Sequence, residues 1–145
     1  MKILVDADGC PVIHLAIKVA KEYDLDIILV KNYAHEIQDS YATIITVDMS
    51  RDSADFYIVN NTEKNDIVVT QDYGLAAMAL AKGAICINQN GLIISSYNID
   101  NLLNHRHINQ KLRREQKIYS KFKKRDSSAD EKFEKSLIGL VLNYR

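Results

Sequence analysis

Two carboxylates stand two positions apart in the segment KILVDADGCPV, where Asp6 and Asp8 follow a short apolar run. Two further aspartates stand in similar places, because Asp72 lies two residues after the run DIVVT and Asp55 lies soon after TIITV. Carboxylate oxygens are the ligands that hard divalent cations prefer, and such cations activate water for attack on phosphate esters. These aspartates could therefore form a metal site if the fold brings them together.

Five short runs rich in Ile and Val predict the strands that would carry these acids. Runs of this kind suit strands that are buried on both faces of a parallel sheet. Segments with helical spacing lie between them, and Pro11 suits the first turn of the first helix. The alternation predicts an α/β fold with a central, mainly parallel sheet of about five strands. The predicted strands are 2–5, 26–30, 43–47, 66–70 and 84–88, and the predicted helices are 11–23, 54–63, 73–83, 99–122 and 127–144.

The four aspartates fall at one edge of this predicted sheet. In open α/β sheets, ligands bind at the carboxyl ends of the strands, which is where Asp6, Asp8, Asp55 and Asp72 are expected. Each acid taken singly could instead serve a helix N-terminus, where negative charge is favourable. Four acids on one rim would repel one another unless a cation lay between them. The pattern favours a divalent ion and leaves helix capping open for the individual residues.

Length and composition limit the class of protein. The 145 residues, of which 47% are hydrophobic, suffice for one domain with its own core. We expect an α/β core over residues 1–98 and a helical, basic C-terminal extension over residues 99–145. We see no leader peptide and no apolar run near the ~18 residues of a membrane span, so we expect a cytoplasmic protein without a membrane contact. The sequence leaves the oligomeric state open.

Two cysteines, Cys10 and Cys86, are predicted to be reduced and unpaired, because nothing in the sequence indicates an oxidising compartment. Cys10 is predicted to pack rather than to react, since a neighbouring carboxylate raises the pKa of a thiol.

A net charge of zero conceals two halves of opposite sign. Residues 1–100 hold 7 basic and 14 acidic side chains, whereas residues 101–145 hold 12 basic and 5 acidic ones. The run 111–125 alone has 8 basic residues and one acid. Such a run can be a solvated helix and linker, but clustered Lys and Arg also bind nucleic-acid backbones. The predicted substrate-binding residues are Arg106, Lys111, Arg113, Arg114, Lys121, Lys123, Lys124 and Arg125, together with Asn88 after the fifth strand.

The segments VDADGCPV, VTQDYGLAAMALAKGA and INQNG resemble the YaiI/YqxD family of small bacterial proteins, which is related to PIN-like and NYN-type nuclease domains. The resemblance implies a three-layer α/β/α PIN-like sandwich whose acidic cluster binds Mg²⁺ or Mn²⁺ for phosphodiester hydrolysis. By this resemblance Asp6, Asp55 and Asp72 match the family's acids. Asp8 stands where many PIN-like proteins have a small polar ligand. Asn88 stands where a further acid often occurs, which weakens the case for a two-metal mechanism.

The leading hypothesis is a metal-dependent nuclease that favours RNA. One alternative is a non-catalytic RNA-binding or ribosome-associated module with a weakened PIN-like site, which Asn88 favours. A third is a haloacid-dehalogenase-like phosphatase, because ILVDADGC resembles the opening motif of those enzymes. Their usual Thr is replaced by Cys10, however, and their later motifs are not found. In the leading hypothesis Asp6, Asp8, Asp55 and Asp72 both hold the ion and carry the catalysis.

Overall fold

The five apolar runs form five strands, and a short sixth strand follows them in the computed structural model, which describes residues 1–50, 52–105 and 125–145. The strands are β1 (Lys2–Asp6), β2 (Asp26–Asn32), β3 (Thr43–Val47), β4 (Ile67–Val69), β5 (Ile85–Ile87) and β6 (Ile93–Ile94).

All six strands belong to one sheet with the order β3-β2-β1-β4-β5-β6. The first five are parallel, whereas β6 pairs antiparallel with β5 through Ile87 and Ile93. The expected mainly parallel sheet is confirmed. Sequence analysis missed β6 because a two-residue strand is too short to show a period. Its turn requires Gly91, whose φ is +85° and where a Cβ would lie 2.6 Å from the carbonyl oxygen of Lys132.

Helices lie between the strands and after them. The prediction that Pro11 lies in the first turn of α1 is wrong, because Val12, with φ −115° and ψ 17°, precedes the helix as its N-cap. Pro11 therefore belongs to the turn before the helix. The helices are α1 (Ile13–Glu22), α2 (Ser53–Asn61), α3 (Tyr73–Ala81), α4 (99–105 within the described residues) and α5 (Ser127–Tyr144).

The helices cover both faces of the sheet. Successive residues of a strand point to opposite faces, so Ile3 and Val5 pack into one apolar cluster and Leu4 packs into the other. The first cluster is completed by α1 and α5, and the second by α2, α3 and α4. The expected three-layer α/β/α arrangement is confirmed, whereas a PIN-like origin of this fold stays a prediction.

Helix α5 contributes side chains to the first cluster. Phe133, Leu137 and Val141 are fully buried at spacings that place them on one face of the helix. An ion pair of 2.8 Å between Lys18 and Glu134 joins α1 to α5. Helix α5 thus completes the layer that α1 begins. Among the helices that the structure describes, none has both the length and the apolar character of a membrane span.

Both cysteines are free, as predicted. Cys10 packs against the cluster that includes α1, whereas Cys86 is buried in the cluster on the opposite face, so the sheet separates them. Burial raises the pKa of the Cys86 thiol to about 12, and burial is also the main cause of the raised pKa of Cys10. Neither thiol has the lowered pKa that a reactive cysteine needs.

Candidate functional site

The carboxyl ends of β1 and β4 form the part of the sheet where a ligand site is expected. From β1 the chain builds the sheet outward in one direction through β2 and β3, and then in the opposite direction through β4 and β5. The strand order therefore changes direction between β1 and β4. Doubly wound sheets bind their ligands in the crevice that opens at such a point. Asp6 is the last residue of β1, and Asp72 lies three residues after the end of β4.

All four predicted aspartates line a single cleft of about 300 Å³ at this edge. A fifth acid, Asp48, lines the same cleft. The remaining lining residues come from the ends of β2 and β3 and from the start of α2, and the full set is Asp6, Asp8, Asn32, Val47, Asp48, Met49, Ser50, Ala54, Asp55 and Asp72.

Asp6 is the acid with the least favourable surroundings in the cleft. Its pKa is raised from 3.8 to about 6, first by burial and then by repulsion from Asp55, Asp72 and Asp8. A hydrogen bond of 3.0 Å from the Thr70 hydroxyl opposes this rise. At neutral pH Asp6 is therefore largely ionised, and its charge lacks a cationic partner among the contacts of the described residues.

Thr70 connects Asp6 to the turn that carries Asp72. The Thr70 side chain is buried, and its hydroxyl donates to Asp6 Oδ2 while it accepts a hydrogen bond of 3.0 Å from the Asp72 backbone N–H. The Thr70 N–H donates to the carbonyl oxygen of Ile87 on β5. One buried side chain thus sets the relative positions of two cleft acids, and sequence analysis missed it.

Replacing Thr70 by valine is expected to raise the pKa of Asp6 above about 6, because the hydrogen bond that lowers it is lost while burial and repulsion remain. Thr70→Ser keeps the hydroxyl and should leave the pKa near its original value. A carboxyl ¹³C NMR titration of Asp6 measures both variants. An Asp6 pKa that is equal in Thr70→Val and in the unmodified protein would show that this hydrogen bond does not control it.

Asp72 and Asp55 both stand at helix N-termini that face the cleft. Asp72 is the N-cap of α3, and its Oδ1 accepts hydrogen bonds of 2.9 and 3.2 Å from the backbone N–H groups of Gly74 and Leu75. Asp55 lies in the first turn of α2, and its pKa is raised by partial burial, by Asp72 and by Asp52. The capping role that the sequence left open is thus real for Asp72, alongside its place in the cleft.

Asp8 is held from the neighbouring strand. Its carboxylate accepts hydrogen bonds of 3.0 and 3.2 Å from the backbone N–H of Asn32 at the end of β2. It also lies 3.0 Å from Nδ1 of His35. Sequence analysis did not single out His35, although its position shortly after a predicted strand was a usable signal.

Asp48 is a further acid that sequence analysis missed. Asp48 directly follows β3. The rule that led to Asp8 and Asp72, that ligands bind at the carboxyl ends of the strands, therefore applies to Asp48 as well. Hydrogen bonds from Ser53 and Ser50 lower the pKa of Asp48 to about 2. Asp48 is consequently ionised at any physiological pH and adds a permanent negative charge to the mouth of the cleft.

The cleft suits a divalent cation in its chemistry and its charge. Its donors are carboxylate oxygens, and repulsion from Asp55, Asp72 and Asp8 contributes to the raised pKa of Asp6. Within the described residues, however, no three acidic, histidine or cysteine side chains are gathered as a ready-made metal cluster. Binding of a cation would therefore require the carboxylates to turn toward one another.

The two predicted substrate-binding residues that the structure describes, Asn88 and Arg125, contact the β5–β6 turn. Asn88 is buried, and its Oδ1 accepts hydrogen bonds from the N–H groups of Asn90 and Leu92. Arg125 donates to Asp130, to Asn90 Oδ1 and to the carbonyl oxygen of Gln89. Both side chains have a structural role here. The other predicted binding residues lie outside the described residues: Arg106, Lys111, Arg113, Arg114, Lys121, Lys123 and Lys124.

Comparison with known proteins identifies relatives along nearly the whole chain. The family model described as "Uncharacterized BCR, YaiI/YqxD family" matches residues 4–143. A "UPF0178 protein" from Alkaliphilus oremlandii is 56% identical over 138 residues, which cover 95% of this chain and 89% of the relative. Another from Natranaerobius thermophilus is 48% identical over 145 residues, covering 100% of this chain and 99% of the relative.

A search of solved structures finds the crystal structure of Rae1 (YacP) from Bacillus subtilis, with 14% identity, a TM-score of 0.41 and 99% of each chain covered. A similarity of this size supports no conclusion about fold or function.

Proposed function

The chain belongs to the YaiI/YqxD family, and from the acidic cleft of this member we propose that the protein is a divalent-metal-dependent nuclease that hydrolyses phosphodiester bonds, with RNA as the favoured substrate. The observation that carries the proposal is Asp6, a partly buried acid with a pKa of about 6 among three other aspartates at the ligand-binding edge of the sheet. Perturbed carboxylates of this kind concentrate at functional sites, and a bound cation would relieve their repulsion.

Asp6, Asp8, Asp55 and Asp72 would hold Mg²⁺ or Mn²⁺. When bound, such an ion polarises a phosphoryl oxygen and lowers the pKa of a water molecule. The Thr70 hydroxyl donates a hydrogen bond to Asp6, which favours the ionised form of Asp6 and orients its carboxylate.

Asp8 is restrained by the Asn32 N–H and by His35. These contacts restrain the Asp8 carboxylate as the Thr70 hydroxyl restrains that of Asp6, and metal sites orient their ligands through hydrogen bonds of this kind.

Calorimetric titration with Mn²⁺, together with an RNA cleavage assay with and without EDTA, tests the proposal. We expect Mn²⁺ to bind and cleavage to stop when EDTA is added. A folded protein that neither binds Mn²⁺ nor cleaves RNA would contradict the proposal.

A non-catalytic RNA-binding module is the second candidate. It is favoured by the lack of a ready-made metal cluster in the described part of the chain and by the use of the Asn88 oxygen in a turn. The cleavage assay, run beside fluorescence anisotropy with the same RNA, separates the two functions, because this candidate binds RNA without cleaving it at any Mn²⁺ concentration.

The basic run provides a test of nucleic-acid binding that is independent of the cleft. Replacing Lys121, Lys123 and Lys124 by serine should flatten the slope of log affinity against log salt for single-stranded RNA by about 2, because each phosphate contact contributes about 0.7. Arg125 is left in place because it holds the β5–β6 turn. Fluorescence anisotropy at several salt concentrations measures the slope.

Lys64 and Lys82 provide the matched control, since both are exposed and lie near the start of β4 and β5, at the opposite edge of the sheet. Their replacement by serine should leave the slope unchanged. An equal slope for the Lys121, Lys123 and Lys124 variant and this control would show that the basic run is a solvated linker.

A further inference from the structure

A groove of about 470 Å³ lies between the β5–β6 turn and helix α5. Its lining residues are Asn90, Gly91, Leu92, Lys132, Lys135 and Ser136. Two of these residues carry a positive charge, and none carries a negative one. Lys132 and Lys135 are three positions apart on α5, a spacing that places both side chains on one side of a helix. This groove is called the basic groove below.

Close contacts between the turn and α5 fix the walls of the basic groove. Gly91 approaches α5 so closely that a Cβ there would lie 2.6 Å from the carbonyl oxygen of Lys132. The Ser136 hydroxyl donates a hydrogen bond of 2.8 Å to the carbonyl oxygen of Gly91. Arg125, just before α5, donates one of 2.9 Å to Asn90 Oδ1. The backbone around the groove is therefore held in place before any ligand binds.

Three side chains of the basic groove have hydrogen-bond donors without an acceptor among the described residues. Lys132 and Lys135 are exposed, and neither ammonium group has an ion pair within that part of the chain. Asn90 is oriented by Arg125, because a guanidinium group can only donate and the amide oxygen must face it. The two N–H donors of Asn90 Nδ2 are thus left for a ligand.

The acids of α5 and its N-cap leave the charge of the basic groove in place. None of them lines it, and they are Asp126, Asp130, Glu131 and Glu134. Asp130 and Glu134 form ion pairs with basic residues outside the groove. The pKa of Asp126 is lowered first by a hydrogen bond from Ser128 and least by Lys132. The two lysines therefore remain available to an anionic ligand.

The β5–β6 turn separates the basic groove from the acidic cleft. Gln89 lines a cavity of about 60 Å³ together with Asp6 and Asp8, while Asn90 lines the basic groove. Arg125 holds both turn residues, since it donates to the carbonyl oxygen of Gln89 and to Asn90 Oδ1. The negative and positive surfaces are therefore neighbours on either side of one anchored turn.

We propose that the basic groove binds the phosphate backbone of a nucleic-acid strand beside the acidic cleft. The inference rests on the proposed function and adds the place where the strand is held. The five aspartates of the cleft repel a polyanion, so attraction has to come from a neighbouring surface. Lys132 and Lys135 can neutralise successive phosphates, while Asn90 Nδ2 donates to a phosphate oxygen.

Two observations favour a nucleic-acid strand over an acidic protein segment. Arg125, which anchors the turn beside the groove, is also the last residue of the basic run 111–125, a composition typical of nucleic-acid binding. Leu92 lines the groove and is 41% exposed, so a sugar or base can contact it while the phosphates contact the lysines. Both candidate functions of the protein also take RNA as their ligand.

Fluorescence anisotropy with a short end-labelled single-stranded RNA in EDTA tests the inference, because the RNA then stays intact and no cation draws it to the cleft. Replacing Lys132 and Lys135 together by glutamine should flatten the slope of log affinity against log salt by about 1.4, since each phosphate contact contributes about 0.7. Replacing Lys64 and Lys82 by glutamine is the matched control. It removes the same charge from the opposite edge of the sheet and should leave the slope unchanged.

Asn90→Asp tests the donor side of the basic groove with little change of shape. It keeps an oxygen for Arg125 but replaces the N–H donors by negative charge, so RNA affinity should fall about tenfold or more. Asn65→Asp adds the same charge at an exposed position before β4, at the opposite edge, and should leave the affinity unchanged. Thermal melts should show all these variants folded, because each replaced side chain is exposed.

Several results would overturn the basic groove. These are equal slopes for the Lys132 and Lys135 variant and its control, no RNA binding by the unmodified protein, or equally tight binding of a poly-glutamate peptide of equal charge. RNA cleavage in Mn²⁺ with an unchanged slope would refute the groove and leave the nuclease function standing. Binding that depends on the groove, without cleavage at any Mn²⁺ concentration, would support the groove and refute the nuclease function.

Discussion

Replacing Asp6 by asparagine is expected to abolish Mn²⁺ binding and RNA cleavage while it stabilises the metal-free protein at neutral pH. The Asp6 carboxylate is partly buried, and this burial together with repulsion from Asp55, Asp72 and Asp8 raises its pKa from 3.8 to about 6. Since each pKa unit is worth about 1.4 kcal/mol, ionised Asp6 costs the folded state about 3 kcal/mol. Asparagine removes that charge and still offers an oxygen to the Thr70 hydroxyl.

The pH dependence has a definite sign. The folded-state pKa of Asp6 lies above the unfolded value, so the cost of its charge is fully present above about pH 6 and disappears as the pH falls toward 3.8. The gain in the free energy of unfolding of Asp6→Asn should therefore be largest above neutral pH and vanish in acid. Urea denaturation in EDTA at several pH values measures it, and Mn²⁺ titration of the same samples measures the metal affinity.

Asp39→Asn is the control for Asp6→Asn. The pKa of Asp39 is lowered by hydrogen bonds from the N–H groups of Ala42 and Tyr41, so this substitution should lose stability rather than gain it. Unchanged Mn²⁺ affinity in Asp6→Asn, or a stability gain that persists in acid, would contradict the assignment of Asp6 to a repulsive metal-binding cleft.

Replacing Phe133 by alanine should lower the free energy of unfolding by about 3–5 kcal/mol, which is typical of truncating a buried phenylalanine. Phe133 is fully buried where α5 packs against α1 and the sheet. Urea denaturation at neutral pH measures the change.

Phe56→Ala is the matched control for Phe133→Ala, since the same side chain is removed from an exposed position on α2. Its effect on stability should be within about 0.5 kcal/mol. If both variants were equally stable, α5 would not be part of the core, and the three-layer arrangement would lack its C-terminal helix.

Local patterns were enough to predict most of the elements. Five Ile- and Val-rich runs became β1 to β5, and the predicted helix 127–144 forms as α5. Such patterns succeed because a strand or helix that faces the core must repeat its apolar residues at its own period. Strand β6 was not predicted because two residues are too few to show a repeat of apolar side chains. Pro11 was wrongly placed in the first turn of α1 because Val12 is the N-cap and the helix begins only at Ile13.

Sequence by itself determined that acids follow the strands and that the chain alternates strand with helix, since both are properties of neighbouring residues. Only the tertiary structure decided that β1 lies between β2 and β4, which brings Asp6 to Thr70 and Asp8 to His35. It likewise decided that α5 returns to the face occupied by α1. The physical reason is that these contacts join residues far apart in the chain, and their free energy depends on the packing of the whole sheet rather than on any local propensity.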